Sequence, residues 1–520
     1  MNSDLILAFD HGTSGIKAAV VDPKGAVHDF VFEATSTNFL PGGGAEQDPD
    51  EWWNAAVAAT RALLERTPAA RRAIRAVAVS STFSTTVAVG ADNRPVLSAL
   101  SWMDSRGAAA IAQRVGGFPS ILGYHLPYIW KWLRRTGGAP SLSGKDDAAH
   151  VALIADRWPD AYHATEVFLP SKDYLNLKLT GRRAASFDSM QLFWVSDTRD
   201  PFDVHYTEDL ISLLHIDRSK LPEMRGSTDI LGPLQPDAVS ELGLSEDVLV
   251  VGGSPDHQCA LLGSGAIRPF EAHLYIGTSS WIECLVPIRK TDPFHSIASF
   301  PTFTPGLYQC INEQDLAGGA LEFLRTNLVE RAGNLLGAAP VADMYELLNE
   351  VADGVPPGSN GILFAPWLNG ERTPVDDHHA RGAFIGLSTT SRLDDLVRAV
   401  LEGVACNTRW SLEYVERFTK RRLDPIRIIG GGAQSDLWCQ IFADVLQRQI
   451  QRVVDPLHAN VRGAAFLAAM GMGWTQPDEI PDLVGCDRTF EPCKANQGIY
   501  DRLYRKLVRF YRANRGIFRL

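Results

Sequence analysis

Seven cysteines, an odd number, are scattered through 520 residues with no Cys-x-x-Cys pair. That scarcity argues against a disulfide framework and predicts reduced, buried thiols in a cytoplasmic protein. No apolar run reaches the ~18 residues that cross a bilayer. Met1-Asn-Ser-Asp4 also lacks the basic start and apolar stretch of a secretory leader. Neither membrane anchorage nor export is expected. Positive charge is short as well: 50 Lys and Arg face 61 Asp and Glu, for a net charge of −11. A general nucleic-acid binder is therefore not expected, although a local basic cleft can still take a phosphate. Two nucleotide signatures are missing: the Gly-x4-Gly-Lys-[Ser/Thr] P-loop, and a Gly-x-Gly-x-x-Gly that opens a helix after a strand. His378 and His379 follow two aspartates without metal-site spacing and read as a solvated loop.

The chain does have bulk. It is 45% hydrophobic and 21% charged, and its length calls for two large domains. It opens as a β-meander whose first turn is Asp10-His-Gly-Thr-Ser-Gly15. Small residues in such a turn expose amides and hydroxyls that suit an anion, though an ordinary hairpin is the plainer reading. Asp48-Pro49 then starts a helix with Glu51 three after the cap. Ile74 to Ser80 alternates like a strand. At Ser101-Trp-Met-Asp-Ser-Arg106 an aromatic, an acid and an arginine fall together. They suit a polyhydroxy ligand, and equally a buried Trp beside an Asp–Arg pair. Residues 107 to 247 show no clear chemistry.

At Val248-Leu-Val-Val-Gly-Gly-Ser-Pro-Asp256 a strand runs into a Gly-Gly turn and a carboxylate. That is where open α/β sheets place their ligands, although Ser254 or Asp256 could instead cap the next helix. The stretch resembles a nucleophile elbow, with Asp where the final Gly belongs. A second strand-turn-strand follows, with Gly277-Thr-Ser279 at its turn. Two Gly-Thr-Ser hairpins suggest duplicated domains facing across a cleft. Asp315-Leu-Ala-Gly-Gly-Ala-Leu-Glu322 leads into an amphipathic helix through Leu321, Leu324 and Leu328. Ser391 and Asp394 read as the capping pair of a long helix. Ile426 to Ile429 runs into Gly430-Gly-Gly-Ala-Gln-Ser435 at a helix start, where a nucleotide can lie against the backbone. These parts suit phosphoryl transfer, which needs positioning, charge neutralisation and a base. Asp10 suits Mg²⁺ as a hard oxygen ligand, and Lys17, at the far end of its hairpin, suits phosphate.

The motif order resembles the FGGY carbohydrate kinases, of the actin-like ATPase superfamily, over nearly the whole chain. The matching stretches are Asp10-x-Gly-Thr-Ser-x-x-Lys17, Glu46-x-Asp-Pro-x-x-Trp-Trp53, Trp102-Met-Asp-x-Arg106 and Gly277-Thr-Ser279. Further along come Gly370-Glu-Arg-Thr-Pro374, Ala380-Arg-Gly-Ala-Phe384 and Gly430-Gly-Gly-Ala-x-Ser435.

The resemblance implies an α/β fold of two ribonuclease H-like domains, residues 1–251 and 252–520, facing across a deep cleft that closes over ATP, Mg²⁺ and a sugar or polyol. It implies that Asp256 is the general base. Thr13, Ser14, Lys17, Gly277, Thr278, Gly318, Glu322, Gly431, Gly432 and Ser435 would bind the nucleotide, and Asp10 the metal. Trp102, Asp104, Arg106, Phe83, Ser84 and His257 would lie at the substrate. A homodimer fits the family.

Later motifs lean to the xylulose-kinase branch, hence to a ketopentose such as D-xylulose, with ribulose-, glycerol- and erythritol-type substrates as alternatives. One loop departs from it. Ser80-Ser-Thr-Phe-Ser-Thr85 has Thr82 and Ser84 where that branch carries Gln and His. Rival readings are a catalytically silent sugar or nucleotide sensor and an actin-like chaperone or filament ATPase.

Overall fold

The opening meander forms where two β-rich apolar runs flank a polar turn. In the computed structural model, which describes residues 4–304, 306–335, 337 and 341–519, β1 (Leu5–Gly12), β2 (Gly15–Val21) and β3 (Val27–Ala34) pair antiparallel. Helix α1 (Pro49–Arg66) follows, with the Asp48 side chain accepting from the Asp50 amide and Pro49 in its first turn. Strand β4 (Ile74–Ser81) lies parallel to β1, and β5 (Ile230–Pro233), β6 (Leu249–Val251) and the short β7 (Ser254–Pro255) complete the sheet. Leu7 and Phe9 of β1 pack with Trp52 and Leu63 of α1, while Ile6 and Ala8 face the other way into a second core. Both faces are covered, which is why the strand reads as one apolar run.

The second half repeats this plan. After α2 (Asp256–Ser264) come β8 (Ala272–Ile276), β9 (Ser280–Val286), β10 (Thr291–Asp292), β11 (Ile297–Pro301) and β12 (Tyr308–Ile311). Then follow α3 (Leu393–Thr419), β13 (Ile426–Ile429), α4 (Asp436–Leu446), β14 (Ile450–Val453), α5 (Ala459–Gly471), β15 (Cys486–Phe490) and α6 (Lys494–Asn514). The first sheet runs β3-β2-β1-β4-β6-β5 and the second runs β12-β9-β8-β13-β14-β15, with β11 and β10 added outside β12. In both, two antiparallel pairings are followed by two parallel ones and an antiparallel edge. The duplication suggested by two short turns thus extends over six strands.

Helices α2 and α5 lie in a core shared by the two sheets, with Ala76 and Ala78 on one side and Ile429 and Val453 on the other. The helices touch backbone to backbone. A Cβ on Gly263 would meet the Ala459 carbonyl oxygen at 1.8 Å, and one on Gly463 would meet that of Cys259 at 1.9 Å. Only glycine permits this approach on either side.

Several expectations change. The long helix α3 is capped one residue later than Ser391 and Asp394 suggest: the Arg392 amide donates to Asp395 at 2.9 Å. The segment after Asp315 is not one regular helix. It forms an α-turn at Gly318–Phe323, a π-helical stretch at Leu324–Glu330 and a further α-turn, leaving Leu328 exposed. All seven cysteines are unpaired, but Cys486 and Cys493 are exposed rather than buried. Among the described residues no helix is long and apolar enough to cross a membrane.

Candidate active site

The two Gly-Thr-Ser turns meet in one cleft of about 830 Å³ between the halves. Pairing of β1 with β2 ends at Gly12 opposite Gly15 and puts Thr13 and Ser14 at the tip, and pairing of β8 with β9 ends at Ile276 opposite Ser280. Thr13, Ser14, Thr278 and Ser279 all line the cleft, together with Asp10 and Asp256.

Asp256 is the first residue of α2 and is delivered by a clamped turn. Gly253 adopts φ +69°, and a Cβ there would meet the Val79 carbonyl oxygen at 2.1 Å. The Gly252 carbonyl accepts from Lys172 Nζ at 2.9 Å and Asn176 Nδ2 at 2.8 Å, both on buried side chains. Ser254 donates to the buried Asp188. The residue before α2 is Pro255, no side chain caps the helix, and Asp256 Oδ1 accepts only from the adjacent His257 amide at 2.9 Å. The helix-cap reading therefore fails for Ser254 and Asp256 alike. Burial lifts the Asp256 carboxyl, the positive His257 opposes that, and Asp10 and Glu313 add like charge, for a value of about 7. Such a group is poised to take a proton near neutrality.

His257 faces the cleft beside it. Its Nδ1 lies 2.7 Å from Glu283 Oε1, and its ring stacks on Trp281 at 4.2 Å. Burial alone would lower its proton affinity, but Glu283 and then Asp256 and Glu313 raise it to about 9.

Asp10 sits directly opposite Lys17 in the β1–β2 register, so Lys17 is not at the far end of that hairpin. The lysine Nζ donates to the Leu457 carbonyl at 2.9 Å, and Lys17 is not among the residues lining the cleft. Burial raises the Asp10 carboxyl, partly offset by Lys17, Ser80 and Asn460. Next to it, Ser80 Oγ and Asn460 Oδ1 are buried without a partner. These are hard oxygen donors of the kind a hydrated divalent cation takes. Among the described residues no three His, Cys, Asp or Glu side chains converge to hold a metal by themselves.

The other expected residues divide. Phe83, Ser84 and Trp102 line the cleft, and Trp102 Nε1 donates to Thr13 Oγ1 at 3.0 Å, tying that wall to the first Gly-Thr-Ser turn. Asp104 and Arg106 do not line it. Asp104 is fully buried, accepts from the Ala45 amide at 3.0 Å and pairs with Arg106, which also reaches Glu46 at 2.7 Å. Acid and base two residues apart close on each other and brace the Trp102 loop.

Gly318 donates to the Gly277 carbonyl at 2.8 Å, and Ala317 to that of Thr278 at 2.8 Å, so this segment buttresses the second turn. Glu322 pairs with Arg325 at 2.7 Å and accepts from Tyr345. Ser435 caps α4, accepting from the Trp438 amide at 3.0 Å, and donates to Asn349 at 2.7 Å. A Cβ on Gly432 would lie 2.3 Å from the Ile276 side chain, whereas one on Gly431 would meet nothing within 4 Å. Of this group, only Gly431 opens onto free space.

Residues not singled out in the sequence supply much of the wall, namely Lys145, Asp146, Trp194, Asp292 and Glu313, beside Arg372 of the Gly370–Pro374 stretch. Trp194 Nε1 donates to Asp146 at 2.6 Å, and Arg372 pairs with Glu313. Glu283 was legible only as a lone acid inside the apolar run Trp281 to Val286.

A duplicated six-strand plan, paired phosphate-type turns and a poised carboxylate define a two-domain phosphotransferase, and the known proteins agree. The pattern of the FGGY family of carbohydrate kinases, N-terminal domain, matches residues 5–121 and 129–263, and that of the C-terminal domain matches residues 273–472. A xylulose kinase of Staphylococcus epidermidis is 29% identical over 99% of this chain and 98% of its own. A gluconokinase of Bacillus licheniformis is 23% identical over 98% and 96%. The crystal structure of xylulose kinase from Rhodospirillum rubrum, 26% identical, superposes over 99% of this chain and 100% of that one with a TM-score of 0.81. The chain belongs to the FGGY family of carbohydrate kinases. It is an enzyme that transfers a phosphoryl group from ATP to a hydroxyl of a sugar or polyol.

Proposed function

We propose that the acceptor is a neutral ketopentose of the xylulose type and that Asp256 is the base that takes its proton. The observation that carries this reading is the Asp256 carboxyl itself, clamped in a cleft between two phosphate-type turns and poised at about 7. The acceptor hydroxyl gives its proton to Asp256 as its oxygen attacks the γ-phosphorus, the bond from that phosphorus to the β,γ-bridging oxygen breaks, and ADP leaves. Thr13, Ser14, Gly277 and Thr278 hold the phosphates, the adenosine lies over Gly431, and Phe83, Ser84, Trp102 and His257 surround the sugar. Gly318, Glu322, Gly432 and Ser435 support that nucleotide site, and Lys17 acts on it through Asp10. Asp10, with the oxygens of Ser80 and Asn460, would hold Mg²⁺, which neutralises phosphate charge when bound. The two domains would divide near residue 251. Seven unpaired thiols suit the reducing cytoplasm.

The charge of the cleft supports a neutral acceptor. Six carboxylates line it against Lys145, Arg372 and the positive His257, and of these Arg372 is already paired with Glu313 and His257 with Glu283. A sugar acid would bring a seventh carboxylate into that field. A coupled ADP-release screen over ketoses, alditols and gluconate tests this: D-xylulose is expected to turn over fastest and gluconate negligibly. Preference for gluconate would overturn the ketopentose assignment, and no turnover on any acceptor would overturn the enzymatic reading.

A further inference from the structure

Glu283 is a carboxylate sealed inside the second domain, and both of its oxygens meet groups that hold the residue after the proposed base. It is fully buried in β9, where it faces His273 across the β8–β9 register. Its Oε1 lies 2.7 Å from His257 Nδ1, and its Oε2 accepts from Gln309 Nε2 at 2.6 Å. Gln309 Nε2 also donates to the His257 backbone carbonyl at 3.1 Å. One carboxylate and one amide therefore hold both the ring and the main chain of His257. Above the ring, Trp281 stacks at 4.2 Å, with Tyr275 behind it at 4.0 Å. Trp281 Nε1 donates to His273 Nε2 at 3.1 Å, which locks the indole in place.

A buried carboxylate without a counter-charge is costly: burial lifts the Glu283 carboxyl, and His257 first and the Gln309 amide second oppose that lift. The salt-bridge partner of Glu283 among the described residues is His257. The charged or titratable groups around that ring are Glu283, Asp256, Glu313 and His273, of which His273 is held neutral by burial. Three acids thus surround one imidazole, which also lies on an aromatic face that favours a cation. With Nδ1 committed to Glu283, Nε2 is the remaining donor of a ring that lines the cleft.

We infer that Glu283 is a positioning residue that holds His257 as a cation with Nε2 free, so that His257 fixes an acceptor oxygen next to the hydroxyl deprotonated by Asp256. The preferred substrates are then vicinally oxygenated at the phosphorylated carbon's neighbour. This rests on the sugar-kinase reading above. It adds that a buried acid, out of reach of the ligand, sets both affinity for the sugar and the alkaline limit of activity.

The test is Glu283→Gln, which keeps shape and removes charge, followed by kcat/KM against pH for sugar and for ATP. Activity of the unaltered enzyme is expected to fall above about pH 9, where His257 loses its proton. In Glu283→Gln that fall moves below pH 8, kcat/KM for the sugar drops at least about tenfold, and KM for ATP stays within about twofold. Glu283→Asp restores part of the loss. In a His257→Gln background, Glu283→Gln adds nothing further, whereas a merely structural role would add its full cost. An unchanged alkaline limb and sugar KM in Glu283→Gln, or in Glu283→Asp should the first variant not fold, would overturn the inference while leaving the kinase reading intact. Absence of turnover in the unaltered enzyme would instead strike the kinase reading.

Discussion

Replacing Asp256 by Asn should make the protein more stable while removing its activity, and the gain should depend on pH in a calculable way. An unfolded Asp ionises near 3.9, whereas Asp256 in the folded chain holds its proton to about 7. Between these values the native state binds the proton that the unfolded state has lost, so stability falls as pH rises. The loss is ~1.4 kcal/mol for each pH unit in that window. From pH 5 to pH 8 the unaltered enzyme should lose about 3 kcal/mol that Asp256→Asn keeps. His257 is raised first by Glu283, which both proteins keep, so the larger part of its contribution cancels in the comparison. Urea unfolding at pH 5, 6.5 and 8 measures the difference, and the coupled ADP assay should show kcat lower by about 10²- to 10⁴-fold. A stability difference that does not grow between pH 5 and pH 8 would refute the raised proton affinity. Turnover within a few-fold of the unaltered enzyme would refute the base assignment.

Four further outcomes follow from particular contacts. Gly431→Ala should fold normally yet raise KM for ATP about tenfold, because its methyl points into open space where the adenosine would lie. Gly430→Ala should instead lower stability by about 1–3 kcal/mol, since its φ is +89° and its Cβ would lie 2.5 Å from the Ile276 carbonyl oxygen. Gly463→Ala should separate α2 from α5 and lower the urea midpoint by the equivalent of ~2 kcal/mol or more, with a like effect from Gly263→Ala. Arg106→Leu should strand the buried Asp104 and cost about 3–5 kcal/mol of stability while leaving the sugar KM nearly unchanged below the melting temperature. A large rise in that KM with unaltered stability would return Arg106 to the substrate.

Local rules account for what was legible in the sequence. Asp48, Pro49 and the meander follow from capping and from apolar runs that flank a turn, which act over a few residues. The Gly-Thr-Ser turns were visible for the same reason and suggested a duplication, whereas the strand order depends on long-range pairing and came with the structure. Arg106 and Asp104 show where residue type misleads: both suit a sugar, but two residues of separation let them satisfy each other first. The walls contributed by Lys145 and Trp194 come from loops, and that of Asp292 from the two-residue strand β10, and the positions of all three depend on long-range packing. Nothing in their own neighbourhoods marks them. Glu283 is intermediate, since an acid in an apolar strand is conspicuous, but its partner lies 26 residues away in His257.

Asp256 and His257 are consecutive in the chain yet moored to opposite banks. The aspartate is held through β7, which pairs Ser254 with Ser80 of the first sheet, and through the Lys172 and Asn176 grip on Gly252. The histidine is held by Glu283 and Trp281 of β9 and by Gln309 of β12, all in the second sheet. Both residues stand in the first turn of α2, so a rotation of one sheet against the other would load that turn from two sides, and the carboxyl and the cation beside it would feel the interdomain angle together.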